Sequence, residues 1–400
     1  MKIYCLLVDA MPSNQKIKSF AEKNNFDYTN QIANCFTTTT LYNMFTGKNS
    51  TDIVPGGLAY HSIANPEIKD SLWINDQDVH LLDITRKNNW KFKTMGRIPY
   101  FARDILLAPV FSSNFKCYPT KQGHLDTYYD FSLYEEVLSK EERFSNLETF
   151  GCHPDGSKDF FWDGLSDEGL RQRYLENQKN NIKDMQNTKD NSLVFIQNVL
   201  WSHHKWGENS KNKEDTEDEI LNWLSFWDFE EEDACFWIFS DHGDDADDYM
   251  TPKSYLSWVM VKDNTSIQKE KIKPVISSMD FYKFAREKIQ DKKWSESTFS
   301  ESVYGDLNTE RIYFLEDARM HTSINKIIAA SAVSVQPQNN WSTLVQIFHH
   351  NKLNKTYVYQ CDFSDPSDLK LAVYDYEQIS HLPEIQNFKH TLFNRFSWLR

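Results

Sequence analysis

The chain has 400 residues, 40% of them hydrophobic, 26% charged and 14% aromatic, and a formal net charge of −14. That length and composition argue against disorder over most of the chain and fit one large domain with a smaller appendage. The acidic balance excludes a sequence-independent grip on nucleic acid or on an anionic membrane surface, since both need a basic patch, and it leaves any anionic substrate in need of a local cation.

Residues 2–8 form an apolar run that predicts a buried strand, with Asp9 at its C-terminal tip. A helix is expected over residues 15–23. Thr37, Thr38, Thr39 and Thr40 open a second helix, in which Leu41, Met44 and Phe45 keep helical spacing until Gly47 stops it. Residues 80–89 read as a helix and 90–95 as a strand, a β-α-β rhythm. The polar, aromatic-studded residues 111–190 are expected to build a substrate rim, with a helix at 167–183. Strands are predicted at 192–200 and 234–239, separated by an acidic segment with a helix at 217–227. The first runs on to His203 and His204, the second to Asp241 and His242. Ligands of open α/β sheets bind beyond the carboxyl ends of the strands, so three strand tips bearing such residues predict one site.

A strand at 255–261 and a helix at 281–290 complete the larger part. Beyond about residue 300, strands at 311–315, 357–363 and 371–374, a helix at 321–330 and a terminal helix at 382–400 read as a smaller α+β lobe. The expected domains are residues 1–300, catalytic with 111–190 as rim insertion, and residues 301–400.

Asp241 and His242 stand in FWIFSDHGDD. A carboxylate and an imidazole just past a hydrophobic strand both reach a hard or borderline divalent cation, and Gly243 lets the backbone turn away. The bland alternative is a turn-capping Asp beside a surface His. Asp9 adds an independent reason, because a carboxylate at the tip of a buried strand is costly unless paired or hydrogen-bonded; its alternative is an Asx-turn acceptor. In NCFTTTTLYNMFTGKNS a threonine hydroxyl at a helix N-terminus sits in a partial positive field, which suits anion binding and alkoxide formation. N-capping by one of four threonines is the alternative there.

Other signals read as structural. Asp244, Asp245, Asp247 and Asp248 form a solvated loop rather than a second cation site. The string from Glu316 to His321 is expected to open a helix with surface pairing. His349 and His350 have no acid at ligand spacing, and Trp201, Trp206, Trp223 and Trp227 are better placed in packing than in a cleft. Six cysteines, at 5, 35, 117, 152, 235 and 361, show no CxxC pairing, so free thiols in a reducing compartment are expected. The opening MKIYCLLVDAMPS meets Asp9 before an export signal is completed, and no apolar run approaches spanning length, so a soluble, cytoplasmic protein is the expectation.

The ordered set VDAMPS, TTTTLYNMFTGKNS with His61, FIQNVLWSHHKW, and FWIFSDHGDD with Lys253 runs over about residues 1–265. In that order it resembles the alkaline phosphatase and sulfatase superfamily. The resemblance implies an α/β sandwich with a mostly parallel central sheet flanked by helices, beside the small C-terminal lobe. It implies Thr37 as nucleophile, nine positions before the Thr of Thr46-Gly47, with Thr38 and Thr39 next in line if the register slips. It implies Asp9, Asp241 and His242 as metal ligands, completed by Thr37. His203 then resembles the histidine that contacts the transferred group, with His204 as its alternative, and Lys253 the lysine that binds the same anion. His204 and Thr40 join as substrate-binding residues.

Departures narrow the implied chemistry. Sulfatases carry a formylglycine precursor in a Cys-x-Pro-x-Arg pattern, and Thr37, Thr39 and Leu41 stand at those places. Ala10 replaces the second acid, and Asn198 and Ser202 stand where a second zinc site would need Asp and His. One divalent cation is therefore expected, manganese, zinc, magnesium or calcium. The implied activity is hydrolysis or transfer of phosphoric esters through a covalent Thr intermediate, similar to phosphodiesterases and to phosphoglycerol and phosphoethanolamine transferases. The alternatives are a sulfatase-like hydrolase and a catalytically inactive binding protein. A small-molecule, glycan-linked or lipid-linked phosphoester or sulfoester is the expected substrate, and nothing in the sequence signals an oligomeric state.

Overall fold

The computed structural model describes residues 1–8, 11–33, 37–47, 80–95, 118–119, 125–126, 144–151, 168–197, 211–241, 256–265, 272–273, 275–292, 303–304, 312–320, 341–350 and 355–362. The chain divides into two compact units. The first comprises Met1–Gly47, Val79–Arg103 and Leu138–Leu307, the second Lys48–Asp78, Asp104–Val137 and Asn308–Arg400.

The first unit is built on an eight-stranded sheet: β1 (Lys2–Leu7), β2 (Asp27–Ile32), β3 (Lys91–Met95), β6 (Leu147–Phe150), β7 (Ser192–Gln197), β8 (Ala234–Phe239), β9 (Leu256–Asp263) and β10 (Val275–Ser277), whereas β4 (Tyr118–Pro119) and β5 (Leu125–Asp126) pair with each other in the second unit. The order across the sheet is β10-β2-β9-β8-β1-β7-β3-β6. Only β9, among the described strands of this sheet, runs antiparallel to its neighbours. The chain starts in the middle. From β1 it passes to β2 on the β8 side and then to β3 on the β7 side, so its direction of travel reverses at β1, the kind of point where α/β sheets bind ligands.

Every residue of β1 and of β8 is buried. Apolar runs of this kind are what a parallel sheet covered on both faces demands. One face carries Tyr4, Leu6, Val8, Val194, Ile196, Phe236 and Ile238, packed with Ile17 and Ala21 of α1 (Gln15–Lys23). Leu175 and Ile182 of α4 (Glu168–Asn187) and Ile220 and Trp223 of α5 (Lys211–Leu224) complete that core. The opposite face is covered by α2 (Thr37–Thr46), α3 (Leu81–Lys87) and α6 (Asp280–Gln290). There the Phe45 ring meets Phe195 edge-on at 5.3 Å and Phe281 at 6.2 Å, and Trp237 meets Phe281 at 5.1 Å. The result is a three-layer sandwich. Among the described residues no helix is long and apolar enough to cross a membrane.

Local signals set several boundaries. Asn14 accepts from the Ile17 amide at 2.9 Å and starts α1, while the Nδ1 of His80 accepts from the Leu82 amide at 2.9 Å and starts α3. Helix α5 begins at Lys211, ahead of the expected residue 217. The strands β2, β6 and β10 have no counterpart among the sequence expectations, because their short stretches mix polar and apolar residues. In β2 the inward row is Thr29 and Gln31, both buried.

The second unit contains the antiparallel sheet β11 (Ile312–Met320), β12 (Trp341–His350) and β13 (Lys355–Asp362), in the order β11-β12-β13. Here the structure corrects one expectation: Glu316, Asp317, Ala318, Arg319 and Met320 belong to a strand and do not open a helix. Acid and base three or four apart suit a helix surface, but the long pairing with β12 decides the conformation. His349 and His350 end β12, opposite Tyr313 and Ile312. The expected helices at 321–330 and 382–400 and the strand at 371–374 lie outside the described residues.

Candidate active site

The three strands that the sequence marks with chemistry at their tips are nearest neighbours. Leu7, the last residue of β1, is level with Gln197 of β7 on one side and with Phe239 of β8 on the other. The amide of Val8 still donates to the Phe239 carbonyl at 2.8 Å, so β1 and β8 run together to their ends. In the sequence Asp9 follows Val8 directly, Asp241 stands two residues after Phe239, and His203 six residues after Gln197.

Asp241 is fully buried. Alternation along β8 puts Phe236 and Ile238 on the α1 side and Trp237 on the α2 side, against Phe281 and Phe284. Asp241 follows β8 by two residues, where the chain bends, and its carbonyl is within reach of α2. That helix begins at Thr37, as the sequence predicts, and Thr40 closes its first turn. The Thr40 side chain is fully buried, and its hydroxyl donates to the Asp241 carbonyl at 2.8 Å. One hydrogen bond thus ties the opening of the threonine helix to the strand tip that carries the expected metal ligand. Thr40, which the resemblance makes a substrate-binding residue, donates its hydroxyl here to the Asp241 carbonyl.

The far end of α2 is fixed as firmly. Gly47 has φ +67° and its amide donates to the Asn43 carbonyl at 2.8 Å. A Cβ at position 47 would lie 2.5 Å from Cδ1 of Tyr282, so the Thr46-Gly47 pair has a physical cause: only glycine fits both the backbone angle and the ring of α6. Tyr282 is buried, and burial pushes its hydroxyl up to about 12 despite Arg286 nearby. Phe45 stacks on His80 at 5.6 Å, which fastens α2 to the start of α3.

Of the expected ligand set, Asp241 is the residue whose side chain is described; the side chain of Thr37 and all of Asp9 and His242 lie outside the described residues, as do His203, His204 and Lys253. Among the described residues no group of three or more His, Cys, Asp or Glu side chains forms a metal cluster. What Asp241 offers, a hard oxygen donor buried at a strand end, fits magnesium, manganese, calcium or zinc. Cys5 and Cys235, both free and buried, are poor rivals to Thr37 as nucleophile, because burial raises both thiols and disfavours thiolate.

Two residues of this region escaped the sequence reading. The Ser240 amide continues the ladder to the Trp258 carbonyl at 3.1 Å, and the Ser240 carbonyl accepts from the Ser257 hydroxyl and, at 3.4 Å, from Nε2 of Gln31. No motif marks either residue. A pairing across β8, β9 and β2 is needed to bring them together.

No protein-family model matches the chain, and no curated protein matches it in sequence. Solved structures are similar. Phosphonate monoester hydrolase of Agrobacterium radiobacter aligns with 100% of this chain and 96% of its own, at 8% identity and a TM-score of 0.50. A protein in the alkaline phosphatase superfamily from Vibrio parahaemolyticus aligns with 98% of this chain and 87% of its own, at 9% identity and a TM-score of 0.48. Lipoteichoic acid synthase LtaP from Listeria monocytogenes aligns with 100% and 91%, at 10% identity and a TM-score of 0.43. With its mostly parallel sheet, its two helical layers and the likeness to the phosphonate monoester hydrolase, the chain has an alkaline phosphatase-like fold.

Proposed function

We propose that the chain is a metal-dependent hydrolase or transferase of phosphoric esters that works through a covalent intermediate on Thr37. The observation that supports this most is the tie between the threonine helix and the β8 tip, at the level ends of β1 and β8. A nucleophile and an anion-balancing group must be held at near-contact range for phosphoryl transfer, and two elements locked by a buried hydrogen bond meet that need.

Thr37 gives its hydroxyl proton to solvent water as its oxygen attacks phosphorus; the bond from that oxygen to phosphorus forms, and the bond to the ester oxygen breaks with its electron pair leaving on that oxygen. His203, or His204 in its place, donates a proton to the departing oxygen, and Lys253 balances charge on the transferred group. Water, or an acceptor alcohol in a transferase, then gives its proton to the same histidine as its oxygen bonds to phosphorus, and the bond from phosphorus to the Thr37 oxygen breaks, that oxygen regaining a proton. Asp9, Thr37, Asp241 and His242 would hold one divalent cation, which when bound supplies Lewis-acid chemistry that makes the hydroxyl more acidic. Thr40 takes a positioning role. Thr37, Thr39 and Leu41 leave no formylglycine precursor, which favours phosphoric over sulfuric esters, and the name of the phosphonate monoester hydrolase agrees with a phosphorus substrate.

The test is elemental analysis of the purified protein together with turnover of nitrophenyl phosphate, a phosphodiester, a phosphonate monoester and a sulfate ester by wild type and Thr37→Ala. Stoichiometric metal with phosphorus-ester turnover that vanishes in Thr37→Ala is expected. Turnover of the sulfate ester alone would move the reading to a sulfatase-like hydrolase, and a metal-free, inert wild type would move it to a binding protein.

A further inference from the structure

A peptide plane on each side fixes where an aspartate side chain can point. The plane before Asp241 carries the Ser240 carbonyl, which accepts from the Ser257 hydroxyl and from Gln31 Nε2. The plane after it carries the Asp241 carbonyl, which accepts from Thr40. The two torsions of Asp241 are therefore set by side chains from β9, β2 and α2. Gln31 and Ser257 are directly paired across β2 and β9, so both project to the same face of the sheet. All of these groups are buried: Gln31, Thr40 and Asp241 at 0% exposure and Ser257 at 2%.

Stability does not account for Gln31. A buried amide that leaves an end unpaired costs about 1–3 kcal/mol, and the Oε1 of Gln31 has no hydrogen-bond partner among the described residues. An apolar side chain would fill the same place at lower cost. The amide cannot simply be turned over, because Oε1 would then face the Ser240 carbonyl, oxygen against oxygen.

We infer that Gln31 and Ser257 are positioning residues for the Asp241 carboxylate: by holding the Ser240 carbonyl they fix the backbone from which Asp241 reaches the cation. This rests on the metal reading proposed above. The pair touches neither cation nor substrate and acts through the peptide that carries Asp241.

Mn²⁺ titration of the metal-stripped full-length protein by calorimetry reads this directly, with thermal unfolding followed alongside. Ser257→Ala and Gln31→Met are expected to weaken Mn²⁺ binding by about tenfold, as losses of supporting hydrogen bonds around metal ligands do. Ser257→Thr, which keeps the donor, is expected to bind as wild type. Thr29→Val is the control. It removes a buried hydroxyl that donates to the Lys273 carbonyl at 2.7 Å from the same strand, and it is expected to lower stability without moving Mn²⁺ affinity. If Ser257→Ala fails to fold, Ser257→Cys keeps the volume with a weaker donor and carries the same comparison. Wild-type Mn²⁺ affinity in folded variants at both positions overturns the inference. An Asp241→Asn arm separates the two failures: if it too binds Mn²⁺ as wild type, the metal reading falls, whereas loss in Asp241→Asn alone refutes only the positioning role.

Discussion

The ring of Tyr282 fills the space that any side chain at position 47 would need. A Cβ there would lie 2.5 Å from Cδ1 and 2.9 Å from Cγ, atoms close to the tyrosine backbone that have little freedom to move. Gly47→Ala therefore combines overpacking with a left-handed backbone angle, and about 2–4 kcal/mol of stability should be lost. Thermal or urea unfolding measures this. In a Tyr282→Ala background the added cost of Gly47→Ala should shrink to about 1 kcal/mol, the share of the backbone alone. An unchanged cost in that background would show that the ring is not the obstacle.

Thr40 offers a test of how far the tie between α2 and the β8 tip reaches into activity. Thr40→Val keeps the volume but removes the donor to the Asp241 carbonyl. A loss of about 1–2 kcal/mol in stability is expected. Turnover of a phosphorus ester should fall about tenfold, with Thr40→Ser recovering most of it. If Thr40→Val leaves turnover untouched while Thr37→Ala abolishes it, the tie serves folding only.

Much of the frame behind these expectations is legible in the sequence, and the reason is burial. The runs IYCLL, after the single Lys2, and ACFWIF are apolar because both of their faces are covered, and that makes them plain to read. The start of α2 at Thr37 and its stop at Gly47 go with local signals, a run of threonines and a glycine with a left-handed torsion, so they too can be read from the chain. Gln31 and Ser257 could not be. Their meaning comes from a ladder joining residues far apart in sequence, and β2, with Thr29, Asn30 and Gln31 in its middle, does not look like a strand until its neighbours are known. The segment ending in Met320 misleads for the same reason in reverse: its charges have helical spacing, but its partner strand lies in residues 341–350.

Acid should weaken the fold through Asp263. Burial alone would raise its carboxyl, but the hydrogen bond from Lys288, at 2.6 Å, and that from Thr265 override burial and hold it below the ordinary carboxylate value of 3.8. The native state thus binds this proton more weakly than the unfolded chain does. Its contribution is complete above the ordinary value and is lost as pH falls below it. Between pH 5 and pH 3 the melting temperature of wild type should drop more steeply than that of Asp263→Asn. Parallel curves would show that Lys288 does not stabilise the ionised carboxylate.

Base should weaken the fold through the thiols. Burial raises Cys5 well above the ordinary value of 9.0, and at Cys235 burial together with the Asp263 charge does the same. A group whose value is raised in the fold keeps its proton there while the unfolded chain gives its own up. The stability it contributes is therefore present below pH 9 and declines as pH rises beyond it. Cys5→Ala would leave a cavity beside Trp237 and Phe195, the residues level with it on β8 and β7, so Cys5→Ser, close in volume and not ionising in this range, is the better probe. Between pH 8.5 and pH 10 the stability of Cys5→Ser should fall less steeply than that of wild type, although the serine variant starts lower because its hydroxyl is buried in an apolar strand. In the same range a maleimide should label Cys5 and Cys235 in unfolded protein and spare both in the native state, which site-resolved mass spectrometry decides. Labelling of native Cys5 at pH 8 would mean that the centre of β1 opens to solvent far more readily than its complete burial implies, and the sheet could then not hold Asp241 and α2 in the fixed relation on which the proposed chemistry depends.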